Sequence, residues 1–261
     1  MINEKLRGHM VAAIESGVRR DGRKLDEFRP ILIETDVSST AHGSARVTCG
    51  NTIIVAGTKM EVGTPYSDTP DEGSLMIGAE LLPIANPHYE AGPPGEEAIE
   101  VARVIDRCIR EAKAIDLKAL SISSGEKMWI CAVDLAPMSA DGNLIDLGAL
   151  AALASIRNAR LPELVDGVPN YEKLTQTHLP VQHYPILVTV YKMGAAYLVD
   201  PTWEEEQYCD ARLSVATLDE KTISALQKGG SGPLSTKDID EMTSLALRIG
   251  VELRQKVMNN G

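Results

Sequence analysis

Apolar positions alternate with polar ones over several short stretches and recur three and four apart over a few longer ones, so the chain reads as strands interrupted by helices. Within 29–37, Ile31, Ile33 and Thr35 alternate against Leu32 and Glu34, which predicts a strand. Ser44 to Cys49 and Thr52 to Val62 flank Gly50-Asn51, a two-residue turn signal that predicts a hairpin. Further strands are expected over 74–84 and 127–138. Two more hairpins follow, 185–193 with 196–200 around Gly194, and 212–218 with 221–227 turning at Asp219-Glu220. The helical period shows weakly over 2–16, through Leu6, Met10, Ala13 and Ile14, with Gly17 as its stop. It is clear over 96–114, where Ala98, Ala102, Ile105, Cys108, Ile109 and Ala112 share one face behind the acidic first turn of Glu96 and Glu97. A third helix is expected over 143–158. After GGSGP a last one is capped by Ser235 with Asp238 three residues on, its stripe running through Ile239, Met242, Leu245, Ala246, Ile249 and Leu253.

Between these elements lie segments without a period. RRDGRKLDEFRP, 19–30, is rich in charge and turn formers and reads as an arm outside the core. The polar loop 63–73 and the Pro/Gly-rich stretch 86–95 read as connections. So does 161–185, with four prolines, whose His178 and His183 are expected at the surface or in packing because no third ligand is near. Strands followed by helices occur twice, so the expected architecture is α+β: an N-terminal helix and arm over 1–28, a first half over 29–162, and a second half over 163–261 that ends in a helix.

Composition narrows what such a domain does. A chain of 261 residues can bury a full core, and a net charge of −11 argues against a general polyanion binder, so any nucleic-acid contact must be a local basic patch. Cys49, Cys108, Cys131 and Cys209 form no CxxC pair, which suggests reduced thiols, no disulfide frame and no zinc site. No run is apolar for long enough to cross a bilayer, and MINEKLRGHM lacks the apolar core of a secretion signal, so the chain reads as soluble and cytoplasmic.

Two stretches could carry chemistry. Asp200, Glu204, Glu205, Glu206 and Asp210 crowd between two strands, either as a solvated loop or as carboxylates whose repulsion keeps one protonated near neutrality, fit to bind a metal or donate a proton. Arg212 opposes the second reading, since a nearby guanidinium favours the ionised form. On the 96–114 helix, Arg103, Arg107 and Arg110 fall on one narrow stripe. They are either ion-paired surface side chains, Asp106 being within reach, or contacts for a phosphate backbone.

RRDGR with FRPI, GSARVTCGNTIIVAGTKMEVG, RVIDRCIREAKAID, DGNLIDLGALAALASI and the closing GGSGPLS together resemble the RNase PH family, over about 2–257. Within that family they look like the archaeal exosome subunits that lack an active site. The resemblance implies an RNase PH fold of two pseudo-symmetric βαβα halves, like the second domain of ribosomal protein S5. It implies no cofactor, no metal and no membrane, and a heterohexameric ring, a trimer of heterodimers with a catalytic homologue, that threads RNA beneath RNA-binding cap proteins and cuts it from the 3′ end with phosphate.

Active relatives hold that phosphate at a helix start, in a Gly/Ser/Thr-rich turn followed by Arg, where free N–H groups and a cation meet. The matching positions here are Asp141, Gly142, Asn143 and Leu144 with Asp146 beyond: no cation, and two carboxylates that would fill or repel the anion's place. Relatives close a G-E-A-D pattern with the acid. Here Asp200 matches the first Asp of the region and Glu206 a neighbouring acid, while the closing Asp is replaced by Arg212. The resemblance therefore implies a catalytically silent subunit, with Arg103, Arg107, Arg110 and Lys113 on the helix that grips RNA. Two alternatives stay open: a chain that is itself an active phosphorolytic exonuclease using Asp200 and Glu206, and an RNA-binding scaffold outside any degradative complex.

Overall fold

The computed structural model describes residues 4–165 and 168–259. Residues 2 and 3 of the expected first helix, and residues 166 and 167 of the expected connection, lie outside the described residues. Helix α1 (Glu4–Glu15) precedes strands β1 (Ile31–Thr35), β2 (Gly43–Cys49), β3 (Thr52–Gly63) and β4 (Ser74–Ala79). Helix α2 (Glu96–Glu111), strands β5 (Ser121–Ser123) and β6 (Lys127–Ser139) and helix α3 (Leu144–Asn158) follow. Then come β7 (Arg160–Val165), β8 (Val168–His178), β9 (Ile186–Met193), β10 (Ala196–Val199), the single turn α4 (Trp203–Glu206), β11 (Ala211–Thr217), β12 (Ile223–Gly229) and α5 (Thr236–Asn259). From β1 to α3 and from β7 to α5 the order is the same: four strands, a helix, two strands, a helix.

The first sheet runs β1-β2-β3-β6-β4 with β5 beside β6, and its β4/β6 pair is parallel. The second runs β10-β9-β11-β12, antiparallel throughout. Alternation explains the first sheet: Thr52, Ile54, Ala56, Thr58 and Met60 of β3 are buried while the residues between them are wholly or partly open. Strand β9 is buried at every position but Lys192, because α3 covers the side of Thr189 while α5 covers the side of Lys192. Helices α2 and α3 thus lie between the two sheets. α3 is buried from Leu144 through Ile156, as a helix apolar on all sides must be. Gly43 lets β2 meet α3: a Cβ there would stand 2.3 Å from the Ser155 carbonyl oxygen and 2.5 Å from the Ala159 Cα.

Three expectations need correction. The connection 161–185 contains the β7/β8 hairpin, hidden in the sequence because Pro162 and Pro169 sit inside its strands. Each strand of a two-stranded sheet has an open edge, where a missing N–H is tolerated. In the last helix Ile239 is 41% exposed, whereas Met242, Ala246, Ile249 and Leu253 form the buried stripe. The arm is the third: Arg19 and Arg29 are 3% and 7% exposed, so it is partly a core element, for reasons that lie in the site it reaches.

Candidate functional site

The acidic stretch after β10 meets the start of α3 and the arm at one junction. Asp200 has a side chain that is fully buried, at a φ of 45°. Its Oδ2 accepts from the Arg29 backbone N–H (2.8 Å), from Arg29 Nε (2.8 Å) and from Arg23 Nη1 (2.8 Å). Its Oδ1 accepts from Arg29 Nη2 (2.7 Å) and Asn143 Nδ2 (2.8 Å). The neighbouring acids are treated likewise. Glu205 takes a bidentate pair from Arg19 (3.0 and 2.6 Å), Glu204 pairs with Arg20, and Asp210 pairs with Arg7. Four of the five acids of the stretch are therefore neither solvated alone nor left to repel one another, since arginines from the first 29 residues pair with Asp200, Glu204, Glu205 and Asp210. A capping box, Thr202 with Glu205, starts α4 within it.

Glu206 differs. It lines a cleft of about 220 Å³ with Glu97 and Glu100 of α2, Tyr191 of β9 and Arg212 of β11. Its Oε1 accepts from the backbone N–H of Asn143 (2.8 Å) and from the Tyr191 hydroxyl (2.8 Å). Burial pushes its carboxyl up to about 7, against the opposing pull of these hydrogen bonds and of the Arg212 charge. The expected effect of Arg212, whose guanidinium also pairs with Glu100 at 2.6 Å, is thus outweighed by burial.

The start of α3 also departs from expectation. Asn143, left-handed at φ 59°, caps the helix with its backbone but not its side chain. Gly142 before it, at φ 80°, allows the close approach to α4, where a Cβ would meet the Pro201 carbonyl oxygen at 2.4 Å. Asp141 faces protein on both oxygens, accepting from Trp203 N–H (3.3 Å) and Asn51 Nδ2 (3.2 Å). Asp146 turns into the core, where it accepts from Thr189 N–H (2.9 Å) and Oγ1 (2.7 Å), and burial pushes it up to about 7. The carboxylate at the helix entry is Glu206, which accepts from the Asn143 N–H.

On α2 the buried face is as expected, and Arg103, Arg107 and Arg110 are exposed. They line a groove of about 350 Å³ with Ile77 and Asp106. Arg107 donates to Gln227 Oε1 of β12 (2.6 Å), and Arg110 pairs with Asp106 at 2.7 Å. Lys113 is exposed past the helix end at φ 49°. Among the described residues no group of three or more His, Cys, Asp or Glu is placed to hold a metal ion, and no helix is long and apolar enough to cross a membrane.

Residues 27–162 match domain 1 of the 3′ exoribonuclease family, RNase PH, and residues 183–249 match its domain 2. The chain belongs to the RNase PH family. Its relatives include the exosome complex component Rrp42 of Thermoplasma acidophilum, 42% identical over 98% of this chain and 96% of the relative. That of Methanothermobacter thermautotrophicus is 43% identical over 95% and 92%. Among solved structures, a chain of the Archaeoglobus fulgidus exosome with RNA bound to the active site superposes with a TM-score of 0.89 at 42% identity, covering 97% of this chain and 98% of that one. A chain of an archaeal exosome core superposes at 0.86 and 38% identity, over 98% and 97%. The RNase PH fold and its α+β class are thereby established.

Within this RNase PH fold, sequence reasoning found Asp200, Asn143 and Glu206, which the structure brings together, and Arg212, which shares the cleft with Glu206. It missed Arg19, Arg23 and Arg29 as their partners, and Tyr191. A signal existed: the arginines at 7, 19, 20, 23 and 29 match in number the acids at 200, 204, 205, 206 and 210.

Proposed function

We propose that this chain is a non-catalytic, RNA-contacting subunit of an exosome, a phosphorolytic 3′-to-5′ exoribonuclease ring in which it alternates with a catalytic homologue beneath RNA-binding cap proteins. The observation that carries the silent role is Asp200. Phosphorolysis needs an acid with a proton to give and an open anion site beside it. Asp200 instead has both oxygens engaged by Arg29, Arg23 and Asn143 in a site closed to solvent. The helix entry that would hold phosphate already receives Glu206, and the cleft around it carries Glu97, Glu100 and Glu206 against the single cation Arg212. Inorganic phosphate would meet net negative charge there.

The same reading gives α2 its task. Arg103 and Arg107 project from one exposed groove and can make charge-assisted contacts to phosphate oxygens without reading sequence. They would form one wall of the RNA path beside the active site of the neighbouring subunit. One observation favours a second reading, in which the chain works alone: Glu206, pushed up to about 7, has the proton affinity of a general acid.

The experiment separates the two. Purified alone and given RNA and phosphate, the chain is expected to release no nucleoside diphosphate, whereas rings formed with the catalytic homologue release it. Release by the lone chain, abolished by Glu206→Gln, would establish the second reading instead. In rings, Arg107→Glu is expected to weaken RNA binding and reduce the slope of log affinity against log salt by about 0.7, one single-strand phosphate contact.

A further inference from the structure

Arg110 borders two cavities. On one side is the groove with Arg103 and Arg107; on the other is a cleft of about 300 Å³ between the end of α2, the start of β4 and the segment 115–118. The cleft differs in character from the groove. Its floor is apolar, built from Leu75, Ile109 and Ile115, each at most 5% exposed, with the half-buried Leu117 beside them. Lys113 and Lys118 stand at its rim with Glu72. Asp116, also in the lining, is already engaged by the N–H groups of Lys118 and Ala119 and by Gln182 Nε2.

Arg110 itself is not free to clamp a phosphate. Its Nε and Nη2 donate to the two oxygens of Asp106 (2.9 and 2.7 Å), and Nη2 also donates to the Leu75 carbonyl (2.8 Å). A guanidinium fixed in this way is a rigid plane beside an apolar hollow, and both are surfaces on which a base stacks. The volume lies at the small end of the range for small-molecule sites, about 300–1,000 Å³.

We propose that this cleft is a nucleobase subsite at the end of the arginine groove, holding one base of a bound RNA against Arg110 and the Leu75–Ile115 floor. Lys113 and Lys118 take the phosphate of that nucleotide. Glu72, an acceptor with no donor of its own at the rim, selects bases that carry an exocyclic amino group, adenine, cytosine or guanine, over uracil. The inference rests on the RNA-contacting reading of α2 and extends it from backbone to base.

The test uses the full chain and follows chemical-shift changes on titration with AMP, CMP, UMP and ribose 5-phosphate. AMP and CMP are expected to bind saturably and about tenfold more tightly than ribose 5-phosphate, with UMP between them. Arg110→Lys, which keeps the charge and loses the plane, and Leu117→Trp, which fills the hollow, are each expected to remove the preference for AMP over ribose 5-phosphate. Equal binding of AMP and ribose 5-phosphate, or no saturable AMP binding, overturns the subsite. An oligoadenylate that displaces AMP places an RNA base in the cleft; failure to displace it overturns the RNA assignment. Arg107→Glu keeps the two ideas apart, because it is expected to weaken the oligoadenylate while leaving AMP unchanged. If it changes neither, the groove reading fails and the base subsite stands.

Discussion

Asp200→Asn is the substitution that most directly probes the junction. The change keeps the shape of the side chain and removes one charge from a fully buried position, while Arg29 and Arg23, with side chains 8% and 10% exposed, stay where they are. Arg29 then loses its close counter-ion, Arg23 is left with Asp21 at 2.7 Å, and an amide N–H₂ replaces one of the oxygens that accepted their donors. Removing one partner of a buried, hydrogen-bonded pair costs about 3–5 kcal/mol, because the stranded charge has already been taken out of water. For a chain of this size each kcal/mol lowers the melting temperature by about 2–4 °C, so a drop of about 6–20 °C is expected in thermal unfolding followed by circular dichroism. The arm should loosen first, since Asp200 holds it from the far side of the chain, and limited trypsin digestion should cut at Arg23 and Lys24 in the variant before the parent. A fall of less than about 3 °C with the arm still resistant would refute the account of Asp200 as a structural anchor. Rings carrying the substitution, assayed well below the lowered melting temperature, should keep their phosphorolytic rate. A lost rate in a folded ring would return Asp200 to the catalytic role.

Asp146 and Glu206 make stability depend on pH. Both are raised from ordinary values of 3.8 and 4.5 to about 7 by burial, so the folded chain holds these protons more tightly than the unfolded chain does. Their contribution to stability should therefore be full below the ordinary values, be lost as the pH rises toward about 7, and level off above it, as measured by urea unfolding at a series of pH values. Asp146→Asn should flatten that fall and at pH 8 lie within about 1 kcal/mol of the parent, since the amide can accept from the Thr189 N–H and donate to its hydroxyl while that hydroxyl donates to Ser214. A steeper pH dependence in the variant would remove Asp146 as a source. Gly43→Ala should cost about 1–3 kcal/mol in the same assay, because its Cβ meets backbone atoms of α3 that cannot swing aside; an unchanged midpoint would mean that β2 and α3 separate freely.

Most of the fold was legible because burial in this chain is one-sided at the places that set the periods. The α2 face and the β3 alternation each follow from a single interior, so their patterns are clean. Where an element departs from that condition the sequence misleads. The β7/β8 hairpin buries only Pro162 among its described side chains, hence shows no alternation, and its prolines read as breaks although an edge strand accepts them. The site was half legible. Asp200, Asn143 and Glu206 could be named by local pattern, but the arginine partners of Asp200 lie 171 and 177 residues away in a segment whose charge and turn formers look like solvated arm. Periodicity carries no information about which distant cation a buried acid will meet. It also cannot show that Asp146, two residues inside a helix, points to the core while Glu206 reaches the helix entry from another element.

The arm and α1 bear on why an acid remains at position 200 in a subunit proposed to be silent. Where the first half has α2, sixteen residues long and packed between the sheets, the second half has only the single turn α4 at the same point in the element order. The surface that a longer helix could have covered is instead met by the N-terminus: Met10 and Ile14 of α1 pack with Tyr191, Met193 and Leu198, and Leu25 of the arm joins them. The segment that opens the chain is thereby built into its second half, and the arginines that come with it need counter-charges inside the fold. Asp200 and Glu205 supply them. Losing Glu205 alone strands the buried Arg19 and losing Arg19 alone strands the buried Glu205, while Asp200 is shared by Arg29 and Arg23, so these acids and arginines hold one another in place whether or not any proton is ever transferred. The carboxylate at position 200 is for that reason no sign of activity by itself; what distinguishes a working acid from a structural one is whether its oxygens are open to a ligand, and at Asp200 both are taken by the arm and the α3 entry.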